Sequence, residues 1–149
     1  MADLPSKSDI EKISFELLKQ SKSLGVFPTP VDKLIEYGDL HFASNVDLSK
    51  VNKSFLNKLS DEVSKKFVKT MNLVRGILDR RERTIYLDLS QLSSRQNFVK
   101  LHEQGHDILP WQNKILQCLD DDETLDPSTQ EEFEAEANYF ASSTLFQLD

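Results

Sequence analysis

Cysteine is almost missing from this chain of 149 residues: Cys118 stands alone, so no intramolecular disulfide is available. The thiol lies in the run Ile115-Leu116-Gln117-Cys118-Leu119 and reads as a small buried hydrophobe. No apolar stretch near the N-terminus has the form of a signal peptide, and none elsewhere is long enough to span a bilayer. These two absences make the reducing cytoplasm the expected location. Positive charge is also short: the formal net charge is −7 and the pI is near 5.0, so no global field attracts a phosphate backbone. The basic groups Lys65/Lys66/Lys69 and Arg80/Arg81/Arg83 are broken by acids and apolar residues, which suits a solvated face better than a nucleic-acid groove. The acidic run 120–123 lacks the glycine and the alternating ligands of a calcium loop and is read as solvated.

What is present suits one folded domain over residues 1–149. Apolar residues make up 38 % and charged residues 29 %, too hydrophobic a balance for a wholly disordered chain. Ser8 and Glu11 have capping-box spacing before Ile10, Ile13, Leu17, Leu18 and Leu24, which predicts a helix over 8–24 closed by Gly25. Thr29 as N-cap and Pro30 at the first helical position predict a short second helix ended by Gly38. A short strand follows over 40–43, with His41 read as a partly buried structural histidine. Residues 44–59 suit a loop and a weak helix, and Ser60 caps a helix to about residue 72.

Two β-prone runs, 74–78 and 84–89, flank the charged turn 79–83 and read as a hairpin with Ile85, Leu87 and Leu89 on its buried face. Ser93 or Ser94 then caps a helix that Pro110 ends near Leu109. A further helix over 111–119 is predicted, and a last one opens at Ser128 with Glu131 in capping-box spacing. Its apolar stripe is Phe133, Ala137, Phe140, Ala141 and Leu145.

The chemistry concentrates in His102-Glu103-Gln104-Gly105-His106, an H-E-x-x-H pattern. Residues four apart on a helix share a face, so both imidazoles can reach one Zn²⁺ ion. Glu103 is rotated about 100° from His102, a position from which a carboxylate serves as general base toward a water activated by the metal. Two histidines leave a catalytic zinc one protein ligand short. Glu131, Glu132, Glu134 and Glu136 on the last helix are the available acids, and spacing favours Glu134, one turn before Asn138, with Glu136 left open as the competitor. Asn138 is placed to orient a histidine or Glu134. Tyr86 and Tyr139 are candidates for stabilising an oxyanion.

These residues, with Pro28-Thr29-Pro30-Val31-Asp32, Gln96-Asn97-Phe98 and Glu134-Ala135-Glu136-Ala137-Asn138-Tyr139-Phe140-Ala141, resemble the ImmA/IrrE family of metallopeptidases. The resemblance implies an α+β fold: a small zincin-like domain, mostly helical, with a short β-sheet beside the H-E-x-x-H helix. It marks Glu134 as third ligand, and it implies cleavage of a cytosolic regulator of the helix-turn-helix repressor class, with no direct contact to nucleic acid or membrane. The segment after Ala141 departs from the family's aliphatic run, and the C-terminal region is short or truncated by comparison. The competing expectation is a zinc-stabilised module that sequesters a regulatory partner without cutting it.

Overall fold

The computed structural model describes residues 7–48, 76–112 and 127–147. In chain order these form α1 (Lys7–Gln20), α2 (Val31–Tyr37), β1 (His41–Asp47), β2 (Gly76–Asp79), β3 (Thr84–Leu87), α3 (Ser93–Ile108) and α4 (Pro127–Leu145). The fold is α+β, with one mixed three-stranded sheet of order β1-β3-β2. The strand β3 runs parallel to β1 and antiparallel to β2. The expected helix over 60–72, the weaker element before it, most of the 111–119 helix, the acidic loop and Cys118 lie outside the described residues.

Helix α1 buries Ile10, Leu17 and Leu18, as its apolar spacing requires. It ends four residues earlier than the sequence suggests. Lys22 takes a left-handed φ of 61°, Ser23 N donates to Leu18 O (2.8 Å), and Lys22 N donates to Lys19 O (3.1 Å). That pair of bonds satisfies the carbonyls of the last turn before Gly25 is reached, and Leu24 is left exposed. The inner face of α1 packs on α4, where Ser14 Oγ and Thr144 Oγ1 meet at 2.7 Å in a buried hydrogen bond.

Thr29 does not cap α2. The N-cap position is Pro30, with no side-chain cap, and Thr29 Oγ1 donates instead to Leu145 O at 2.7 Å, tying the entry of α2 to the end of α4. Gly38 does close α2, but its φ is −78°, open to any residue. Its reason is space: a Cβ there would stand 2.8 Å from Gln104 Nε2, which donates to Leu34 O. Neither Ser93 nor Ser94 caps α3, whose N-cap position is Leu92.

Strand β1 extends to Asp47, longer than expected, and His41 is exposed at its start, which overturns the partly buried reading. The hairpin pairs Gly76 with Leu87 and Asp79 with Thr84. Ile85 and Leu87 are fully buried, and all four residues of β2 are buried, so this strand is covered on both faces. Asp79 Oδ1 accepts from Arg81 N and Glu82 N at 3.1 and 3.4 Å, which shapes the turn locally. Arg83, at φ 52°, closes it and clamps the neighbourhood. Its guanidinium donates to Gly38 O, Asp39 O and both carboxylate oxygens of Asp107.

The core lies between the sheet and the helices. Leu34, Ile85, Leu87, Val99, Leu101, Leu109 and Phe140 are all shut off from solvent, each worth about 1.5–3 kcal/mol in burial. Helix α3 is enclosed so thoroughly that every residue from Val99 to Gly105 is buried, including three that are polar or charged besides Lys100. A helix lining only the core edge would show one buried stripe. This one is packed by β2, β3, α2 and α4 together.

Candidate metal centre

The two histidines stand on the face of α3 turned toward α4. His102 is fully buried, and His106 is nearly so. Their rings cross almost perpendicularly, at 86° with centroids 4.8 Å apart, and their Nε2 atoms approach to 3.2 Å. From α4, Glu134 brings Oε2 to 2.8 Å from His102 Nε2 and Oε1 to 3.2 Å from His106 Nε2. The close helix approach that allows this is set by Gly105. A Cβ there would lie 3.2 Å from both Ala137 Cα and Phe140 Cδ1.

His102, His106 and Glu134 form a group able to hold a metal ion. Donor atoms around a tetrahedral ion bonded at about 2.0–2.1 Å stand about 3.3–3.4 Å apart. The separations here are 2.8, 3.2 and 3.2 Å, so the three donors fit such an ion with small adjustment. Two imidazole nitrogens and one carboxylate are also the donor chemistry that suits zinc and other borderline divalent metals.

The outward nitrogens are held as well. His102 Nδ1 lies 2.7 Å from Asn138 Oδ1, and His106 Nδ1 lies 2.7 Å from Gln112 Oε1. An amide oxygen only accepts, so each Nδ1 carries a proton, and the lone pair of a neutral ring then falls on Nε2, the nitrogen toward Glu134. Gln112 is a residue that sequence reading missed. It lies beyond Pro110, outside the periodic pattern of α3, in the mixed run Trp111-Gln112-Asn113-Lys114, where nothing in the residue type marks it.

Electrostatics at the centre are strongly coupled. Burial works to raise the Glu134 carboxyl, but hydrogen bonds from His102 and His106, and their charge, outweigh it and hold the group far below the usual carboxylate range. Burial likewise disfavours protonated His102, and is outweighed by Glu134, by the charge of Glu103 and by Asn138, leaving the imidazole raised above its ordinary value. Glu134 is thus held as the anion, with protonated His102 favoured beside it.

Glu103 is 6 % exposed and follows His102 on α3, close enough for its charge to act on that ring. Glu136 does not face the histidines. Its Oε1 accepts from Trp111 Nε1 at 2.9 Å and from Gln112 Nε2 at 2.8 Å. Glu131 and Glu132 are exposed. The Tyr139 hydroxyl donates to Glu11 Oε2 at 2.7 Å, and Tyr86 is a half-buried residue of β3 opposite Ile77.

A small α+β domain with an H-E-x-x-H helix against a mixed sheet, and a carboxylate from a following helix closing a three-donor cluster, defines a metallopeptidase-like class. Residues 57–148 match the family model Peptidase_M78, the IrrE N-terminal-like domain, and the chain belongs to that family. No curated protein and no solved structure matched in the corresponding comparisons. No helix among the described residues is long and apolar enough to cross a membrane.

Proposed function

We propose that this metallopeptidase-family chain is a zinc-dependent endopeptidase of the cytoplasm that cuts a regulatory protein, a helix-turn-helix repressor or a similar regulator. The reading is carried by the convergence of His102 Nε2, His106 Nε2 and Glu134 within bonding reach of one ion. Those three residues hold Zn²⁺, and Asn138 orients His102. A bound zinc ion supplies Lewis acidity, which acidifies water and polarises a carbonyl oxygen.

Glu103 is the general base. It takes the proton of the attacking water and hands it to the leaving amine nitrogen as the peptide bond breaks. Its burial excludes bulk water from that exchange. The net charge of −7 supports a protein substrate, with DNA itself left uncontacted.

The test compares the parent with Glu103→Gln in cells that express a full complement of regulators, by sequencing newly formed protein N-termini and by metal analysis of both purified proteins. The parent should generate a new N-terminus in a DNA-binding regulator, and the variant should lose at least about 10²-fold in that cleavage while keeping one zinc per chain. Equal cleavage by the variant removes Glu103 from the role. A stable complex without fragments in both proteins replaces the peptidase with a sequestering module.

A further inference from the structure

Gln112 has no solvent-exposed surface, yet it spends all of its side-chain polarity on the edge of the metal centre. Oε1 faces His106 Nδ1 at 2.7 Å. Nε2 donates to Phe133 O at 3.0 Å and to Glu136 Oε1 at 2.8 Å. Two acceptors thus flank the amide nitrogen, which settles the orientation of the group: turned over, it would set oxygen against a carboxylate and a carbonyl. The carboxylate is itself fixed from a second side, because Trp111 Nε1 donates to the same Oε1 at 2.9 Å.

We infer that Gln112 is a positioning residue for the metal centre: held by Glu136 and Phe133, it selects the Nδ1–H tautomer of His106 and so aims Nε2 at the cation. The inference rests on the metallopeptidase reading above and goes beyond its ligand set. A neutral imidazole has one N–H, and the amide oxygen claims it, so the lone pair is left on the nitrogen that faces His102 and Glu134. Preselection removes the cost of rotating and re-tautomerising the ring when a cation arrives.

The chemical choice of an amide has a second consequence. A carboxylate on Nδ1 would raise the ring's basicity and add negative charge beside the site. With Asn138 and Gln112 as the two acceptors, the ligand set stays at two neutral imidazoles and one carboxylate, and a divalent cation keeps a net charge of +1. Glu136 contributes its charge one hydrogen bond further back, where it fixes geometry through Gln112 without touching the ligand.

The test uses the zinc-loaded full chain and has two arms. In the parent, ¹⁵N-resolved imidazole spectra should show His106 protonated at Nδ1 with that proton slow to exchange; a proton on His106 Nε2 overturns the inference without any variant. In the second arm, Zn²⁺ affinity is measured by competition with a chromophoric chelator. Gln112→Met, matched in length and apolar, should bind about 10- to 100-fold more weakly and lose the slow Nδ1 proton. A folded Gln112→Met protein within twofold of the parent sinks the inference and leaves the peptidase reading standing. A parent that takes up no Zn²⁺ sinks that reading and this one with it.

Discussion

Gly105 and Ala137 are the point at which α3 and α4 touch: a Cβ on Gly105 would lie 3.2 Å from Ala137 Cα. The glycine is helical, so its freedom of φ is not what the position requires. What it supplies is an approach close enough for Glu134, one turn before Asn138, to meet both imidazoles.

Gly105→Ala sets two effects against each other. Alanine gains about 1 kcal/mol of helix propensity over glycine, whereas overpacking against backbone and an aromatic ring costs about 1–3 kcal/mol. Ala137 Cα is main chain and cannot swing aside, so packing should win by about 1 kcal/mol, or about 3 °C in Tm. The more telling readout is zinc affinity, which should fall with stability because the two helices carry different ligands. A Gly105→Ala protein with unchanged Tm and unchanged zinc affinity contradicts this account of the interface.

Acid and base should act on the metal-free protein in a way that follows from the pairing of His102 with Glu134. Glu134 is lowered from its ordinary 4.5, so its contribution to stability is present above that value and is lost as pH falls through the folded value. His102 is raised from 6.5, so its contribution is complete below that value and is lost as pH rises through the folded one. Both are whole between 4.5 and 6.5, which is where the pair should stabilise the chelated protein most. Zinc displaces the proton and needs the imidazoles neutral, so the loaded protein should be most stable at higher pH. Urea unfolding of both forms across this range is the check, and identical pH profiles would refute the coupling.

The sequence made legible whatever depends on spacing along one helix. His102 and His106, four apart, meet because helical geometry alone puts them on one face, and Glu134 and Asn138 share a face of α4 for the same reason. The hairpin was legible from β-prone runs around a charged turn. Ends and long-range partners were not. Lys22 ended α1 by a left-handed turn that no residue type advertised, and Thr29 was claimed by Leu145 O, 116 positions away, before it served as a cap. Gln112 was hidden for the same physical reason: its partners on α4 are fixed by packing, which periodicity does not encode.

Arg83 separates stability from the metal centre. Its guanidinium bridges Gly38 O, Asp39 O and the Asp107 carboxylate, with the ion pair partly open to solvent. The hydrogen bond to Asp107, partly opposed by burial, raises the guanidinium further above its ordinary value, so the charge is permanent at any working pH. Arg83→Ala should cost about 1–3 kcal/mol through the loss of these bonds, measured by chemical unfolding, while one zinc per chain is retained. Loss of zinc in a protein that is still folded would mean that the clamp also sets the register of α3.

Glu134 and Glu136 lie two positions apart on α4 and have different partners, which makes their paired substitution the sharpest test of the ligand set. Glu134 stands against both Nε2 atoms, and Glu136 against Trp111 and Gln112. Glu134→Gln replaces an anionic donor with a neutral amide oxygen and should lower zinc affinity by at least about 100-fold, since it removes the one negative charge among the three donors. Glu136→Gln keeps an acceptor for Trp111 and Gln112 and should leave zinc at one per chain, with affinity lowered by about tenfold or less. Chelator competition on the two proteins side by side distinguishes the cases: tight zinc binding that survives Glu134→Gln but not Glu136→Gln would move the third ligand to the other carboxylate and require α4 to turn relative to α3.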